Sequence, residues 1–291
     1  MRRRMMLGVL AAACAVLAVP TQGEDVPPKA PKAVGLSDAE KEDFLLTAVI
    51  GRTRGAGGGG TTGSLRATLS KDGREHDAHI QEIDLAKSVV NLAGGAEIDF
   101  RDSYRNNVAA YRLDRLLGLG MIPVTVVRQQ GLKKASFTWW VDDVLMSEKD
   151  RLQKEIDSPD PPVWNQQMYA VRIFDQLIFN TDRNLGNLLI DTEWRMWMID
   201  HTRAFKIFKE LKSSQNLGTH CSRGLLESLR RLDKPTLTEA MKGLLNETQV
   251  KGLLARRDRI VKYYDTKIAE VGEGTVLYDL PTRVMAAQGR N

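Results

Sequence analysis

The sequence predicts an α+β protein of two lobes, a small mostly β N-lobe with one helix and a larger mostly α C-lobe. Three observations carry this. Short apolar runs rich in β-branched residues, punctuated by glycines and an Asp-Gly turn, dominate residues 44–141. One helical pattern interrupts them between residues 103 and 119. Beyond Asp142 and Asp143 the periodicity becomes helical almost throughout. With 291 residues, 42% hydrophobic and 27% charged, the chain can bury a core in one large or two ordinary domains.

The elements follow in order. Ser37 with Glu40 three residues on is a capping-box pattern, so a short helix starts there. Residues 44–50 read as a strand. The glycine cluster of Gly55, Gly57, Gly58, Gly59, Gly60 and Gly63 separates it from a second strand over 64–70, and Asp72-Gly73 turns the chain into a third over 76–83. Val108, Tyr111, Leu113, Leu116 and Leu117 recur at helical spacing, with Gly118 or Gly120 as the stop. Two more β runs, 123–128 and 136–141, flank a turn at Gly131. Helices are predicted over 148–156, 163–179, 224–232, 237–245 and 248–269, and a hairpin over 188–199 turns at Asp191-Thr192-Glu193. The lobes meet near residues 141–143, giving an N-lobe of 37–141 and a C-lobe of 142–291.

Ahead of the lobes, residues 1–4 are basic, 5–19 apolar and 20–24 small or polar, the three-part layout of a secretory signal peptide over residues 1–23. The apolar stretch is shorter than the ~20 residues that cross a bilayer as a helix. Export to an extracytoplasmic compartment is therefore expected, with a retained N-terminal anchor as the alternative and Cys14 as a candidate lipid-attachment residue. Pro27, Pro28 and Pro31 make 24–36 an extended tether. Removing the leader leaves Cys221 as the one cysteine, which excludes an intrachain disulfide framework. The formal charge is +5, but without Arg2, Arg3 and Arg4 the 42 basic residues fall to 39 against 37 acidic ones. No long basic run follows, so nucleic acid is not an expected partner. Nor does a basic amphipathic helix point to a lipid surface, and the chain is expected to act as a monomer.

The chemistry is concentrated in residues 174–205. A helix ending at Phe179 delivers the polar stretch from Asn180 to Asn187, and the following hairpin returns the chain to Ile199 and Asp200. Asp182, Asn187 and Asp200 are thereby placed to converge. Phosphoryl transfer needs such a set, hard oxygen donors for a divalent cation and a carboxylate that orients an incoming hydroxyl. Asp182 and Asn187 have the Asp-x-x-x-x-Asn spacing of a kinase catalytic loop, although both residue types also suit ordinary turn caps. Gly58, Gly60 and Gly63 fit Gly-x-Gly-x-x-Gly between two strands, a pattern that a merely flexible loop also satisfies. Arg183 is expected to tie the loop down through a salt bridge, and Asp175 to be structural. Trp139, Trp140, Trp194 and Trp197 are expected to pack in the core or between lobes. Cys221 is expected to be a buried thiol, and Arg230-Arg231 and Arg256-Arg257 to be solvated helix faces.

Asn-Thr-Asp-Arg-x-x-x-Asn at 180–187, followed by Ile-Asp-x-x-x-Ala-Phe at 199–205, resembles the catalytic and metal-binding loops of phosphatidylinositol 3-/4-kinases, especially the type II 4-kinases. It is similar also to HipA-type kinases and to secretory-pathway kinases, and residues 106–141 are moderately similar to the helix and following strands of their N-lobe. The resemblance implies a two-lobed protein-kinase-like fold binding ATP with Mg²⁺ or Mn²⁺ and phosphorylating a hydroxyl-bearing acceptor, whether protein, lipid or small molecule. It implies Asp182 as the catalytic aspartate and Asn187 and Asp200 as metal ligands. Gly58, Gly60 and Gly63 would lie over the phosphates, and the chain around Val141 would meet the adenine.

The sequence departs from that pattern where a strand lysine and a helix glutamate are expected, which here align with Gln81 and Asn107. A neutral pair cannot neutralise phosphate charge, so Arg66 and Lys87 become the candidate substitutes. Asn184 stands where lipid and HipA-type kinases often have histidine, and His201-Thr202 follows Asp200 in place of Phe-Gly. Two alternatives remain open on these grounds, a nucleotide-binding pseudokinase that scaffolds without chemistry and a kinase-fold enzyme that transfers AMP.

Overall fold

Local signals start most of the elements. The computed structural model describes residues 32–33, 35–56, 63–92 and 95–280; the leader, nearly all of the proline-rich tether, Gly58 and Gly60 lie outside them. The Ser37 hydroxyl accepts from the Glu40 backbone N–H while the Glu40 carboxylate accepts from the Ser37 N–H, so both halves of the capping box form and α1 (Asp38–Thr47) begins as expected. The helix then runs through Phe44 and Leu45, which the sequence assigned to a strand. Both are buried beneath the sheet, and that burial outweighs local β preference. The strand, β1 (Val49–Gly55), starts only after α1 ends, and it is an exposed edge.

β2 (Leu65–Lys71) and β3 (Arg74–Gln81) form a hairpin around Asp72 and Gly73, whose φ of 50° and 71° are the left-handed pair that a tight two-residue turn needs. A second hairpin, β4 (Asp84–Leu92) and β5 (Gly95–Ser103), was not expected from the sequence. It leads into α2 (Tyr104–Leu117), capped by Ser103 and stopped by Gly118 at φ 72°. β6 (Thr125–Gln130) and β7 (Lys133–Trp139) complete an antiparallel sheet in the order β1-β2-β3-β7-β6. Ala67, Leu69, Ala78, Ile80 and Phe137 on one face of it are buried. Arg66, Asp77, His79 and Gln81 alternate onto the other face.

In the second lobe, β8 (Val144–Ser147) pairs with β9 (Leu188–Asp191), which pairs in turn with β10 (Met196–Met198), so the expected hairpin is the core of a three-stranded sheet. The helices are α3 (Glu148–Gln153), α4 (Pro161–Leu177), α5 (Arg223–Arg231), α6 (Lys234–Ala240), α7 (Glu247–Val271) and the single-turn α8 (Glu273–Val276). Cys221 is buried, as expected, where a short bridge pairs Cys221–Ser222 with Leu277–Tyr278 in parallel. Among the described residues, no helix is long and apolar enough to cross a membrane.

Arg256 corrects the expectation of a solvated α7 face. It is fully buried and donates to the carbonyls of Leu177 (2.7 Å), Lys206 (3.1 Å) and Phe208, and burial pushes its pKa down to about 9. One guanidinium thus fastens α7 to the end of α4 and to the chain beyond Asp200. The approach is close, because a Cβ at Gly252 would stand 2.7 Å from the Ile207 carbonyl oxygen. Arg257 is largely covered too, bonding the Leu232 carbonyl, whereas Arg230 remains exposed in a pair with Asp265. Arg256→Leu strands three carbonyls and is expected to cost about 3 kcal/mol or more. Arg230→Ala breaks only an exposed pair and should cost under about 1 kcal/mol. Urea unfolding midpoints compare the two, and equal losses would contradict the role given to Arg256.

Candidate active site

The site starts where α4 stops. Phe179 turns the chain through φ 51°, and buried Asn180 holds the new direction by donating to the Asp175 carboxylate (3.0 Å) and accepting from the Asp182 N–H (3.0 Å). Arg183 is the centre of the loop that follows. Its Nε and Nη2 engage Asp175 at 2.9 and 3.1 Å, and its Nη1 donates to the carbonyls of Asn187 (3.1 Å) and Ile199 (2.8 Å). Its Nη2 also donates to His201 Nε2 at 2.9 Å. Burial first, then the Arg183 charge, hold the His201 pKa well below its ordinary value, so the ring is a neutral acceptor. Asp175 and Arg183 are therefore structural partners, as the sequence suggested.

This scaffold ties the loop that carries Asp182 and Asn187 to the residue before Asp200. The Asn187 side-chain amide donates to the Asp182 carbonyl at 3.4 Å, which leaves the Asn187 side-chain oxygen as an acceptor. The Ile199 N–H donates to the Asn187 carbonyl (3.0 Å), so Asp200 follows directly from a residue bonded to the loop. Asp200 sits at φ 54° and accepts from the Thr202 hydroxyl at 3.1 Å. Both Asp182 and Asp200 are exposed. Asn184, at the position of the absent histidine, caps its own turn by accepting from the Gly186 N–H (2.9 Å).

Gln81 and Asn107 both neighbour Ser136. Gln81 is buried opposite Ser136 in the β3–β7 register, and the Ser136 hydroxyl accepts from the Asn107 amide at 3.4 Å. The Asn107 oxygen accepts from the His201 N–H at 2.8 Å, which connects α2 to the residue after Asp200. Arg66 is committed elsewhere: its Nε donates to Asp77 at 2.6 Å and its guanidinium lies 3.9 Å from the Trp140 ring centre. Lys87 lies exposed on β4. Val141 is half-buried in the connection between β7 and β8, and Gly63 adopts φ 64° just before β2. Trp139 is buried with its ring stacked on His76 at 3.6 Å, and Trp194 packs edge-on to Trp164.

Two residues that sequence reasoning missed join the site. His79 shares the β3 face of Gln81; burial pushes its pKa down while Asp200 opposes that shift. Its place was readable from strand alternation once Gln81 had been singled out. Asp102, at the end of β5, had no motif to mark it. It is 7% exposed, and its Oδ1 is buried without a hydrogen-bond partner. Burial, followed by the carboxylates of Asp200 and Asp182, pushes its pKa above the usual carboxylate range, against a bond from Thr202 and the charge of Arg203. Excess negative charge around a buried oxygen fits a divalent cation. Among the described residues, no three His, Cys, Asp or Glu side chains form a ready metal cage. The donors present suit an ion held by one or two carboxylates, an amide oxygen and the oxygens of a phosphate ligand.

No family model and no curated protein matches the chain. Solved structures do. A hydra Fam20 solved with sugar aligns at a TM-score of 0.65 and 14% identity over 86% of this chain and 95% of that one. A Golgi casein kinase aligns at 0.60 and 15% over 84% and 78%. The Golgi casein kinase with Mn and ADP bound aligns at 0.59 and 14% over 84% and 80%. The chain has the protein-kinase-like fold, with an antiparallel sheet in its N-terminal region and helices in its C-terminal region.

Because the folded protein binds a proton on Asp102 more readily than the unfolded chain does, Asp102 contributes a gain in stability as pH falls from 7 toward the ordinary carboxylate range near 4, opposed by His79 and His201, which burial holds neutral in the fold. Asp102→Asn should raise stability at pH 7 and remove part of that gain. Denaturant midpoints across this pH range check it, and an unchanged pH dependence in the variant would contradict it.

Proposed function

We propose that the chain is an exported, ATP-dependent phosphotransferase acting on a hydroxyl-bearing acceptor. The observation that carries this reading is the Arg183 network, which fixes the Asp182–Asn187 loop against the residue before Asp200. Exposed Asp182 is the group that orients the acceptor hydroxyl and receives its proton. Asn187 and Asp200 would hold Mg²⁺ or Mn²⁺, which supplies neutralisation of phosphate charge when bound. Gly58, Gly60 and Gly63 would lie over the phosphates, with Val141 beside the base. The solved kinase with Mn and ADP supports this choice of cofactors by fold alone. The leader pattern, and the Golgi origin in the name of a structural neighbour, support an extracytoplasmic setting. The proposed lobes are residues 37–141 and 142–291, after a signal peptide over 1–23 and a tether over 24–36.

With Arg66 paired to Asp77, His79 is better placed than Arg66 to face phosphate oxygens from β3. A second reading, nucleotide binding without chemistry, is favoured by the neutral Gln81–Ser136–Asn107 set. It is opposed by the retention of Asp182, Asn187 and Asp200 together, which a module without metal chemistry does not need.

The test is transfer of labelled γ-phosphate from ATP with Mn²⁺, to the chain itself and to general protein and small-molecule acceptors. Asp182→Asn should lower transfer by about 10²–10⁴-fold while nucleotide still binds. Asp200→Asn should weaken binding of the metal–nucleotide complex itself. ATP binding with no transfer to any acceptor would favour the second reading, and an added AMP in the product mass would identify adenylyl transfer.

A further inference from the structure

The unexpected β4–β5 hairpin grips the segment that follows Asp200. The Glu97 carboxylate pairs with Arg203 through one oxygen and with Lys206 Nζ (2.8 Å) through the other. Lys206 is 1% exposed and also donates to the Asp99 carbonyl at 2.6 Å. Asp99 sits within β5 at φ 52°, and its carboxylate accepts from the Ile207 N–H at 2.9 Å. Phe100 lies beneath both cations, 4.7 Å from the Arg203 guanidinium and 5.7 Å from Lys206 Nζ. The grip continues toward the site. The Arg203 carbonyl accepts from the Thr181 N–H (3.2 Å) and hydroxyl (2.9 Å), and Thr181 precedes Asp182.

We propose that Glu97 is a positioning residue for the reaction, acting through Arg203 and Thr181 to set the place of Asp182. The proposal rests on the phosphotransferase reading for its effect on rate and goes beyond it in assigning the hairpin a role. Glu97 lies outside the metal- and nucleotide-holding set, so its loss separates turnover from binding.

The experiment uses the full chain and the Glu97→Gln variant, with Lys267→Ala, which breaks a remote exposed pair with Glu270, as control. Amide hydrogen exchange at Thr181 and Ile207 is expected to rise at least about tenfold in the variant, with α7 amides unchanged. In the transfer assay kcat should fall about tenfold while KM for ATP stays within about twofold. Arg203→Lys, which keeps the charge but not the same reach, should reproduce the exchange pattern if Glu97→Gln does not fold. Unchanged exchange at Thr181, or an equal rise throughout α7, overturns the proposal, as does an unchanged kcat in an active protein. Should the unsubstituted chain transfer nothing, the phosphotransferase reading fails, and the exchange pattern alone decides whether Glu97 positions the loop.

Discussion

One guanidinium organises the candidate site. Arg183 holds two carbonyls, a carboxylate and a neutral imidazole at once, and these come from α4, the loop, the residue before Asp200 and the residue after it. Each bond to a charged donor is worth more than a neutral one, and the half-buried setting reduces screening. With the Ile199 N–H to Asn187 carbonyl bond, Arg183 ties the loop carrying Asp182 to the segment carrying Asp200. The neutral state of His201 belongs to the same constraint, because a protonated ring would place a second positive charge against Arg183.

Around that centre the protein uses buried cations as fasteners. Arg256 bonds three carbonyls beneath the site, and Lys206 sits under Glu97 at its edge. Such groups are costly to bury and are kept where several acceptors face them. The carboxylates Asp182 and Asp200 are exposed, and both act on the buried Asp102 carboxyl at the end of β5.

Much of this was legible in the sequence, and for local reasons. Capping at Ser37, the Asp72-Gly73 turn and the stop at Gly118 are encoded within a few residues, so those boundaries could be read directly. The Asp182–Asn187 spacing with Ile199-Asp200 downstream singled out two stretches that the fold joins through the Ile199 N–H and the Asn187 carbonyl. What escaped depends on partners far along the chain. The β4–β5 hairpin leaves Leu85, Val89 and Ile98 exposed and so lacks a regular buried alternation; its anchoring to residues 202–207 is visible only in three dimensions. Arg256 read as a solvated charge because helical periodicity does not announce the three carbonyls that surround it. Arg66 looked like a free cation until strand pairing placed Asp77 beside it.

The central claim is that Asn187 and Asp200, held together by Arg183, share one divalent cation beside Asp182. A crystal structure of the chain with Mn²⁺ and a non-hydrolysable ATP analogue, with the metal located by anomalous scattering, tests it most directly. The account predicts an ion about 2.1 Å from both an Asp200 carboxylate oxygen and the Asn187 side-chain oxygen, with phosphate oxygens completing its shell. Manganese bound elsewhere, or nucleotide bound with Asp200 turned away from any ion, would contradict it.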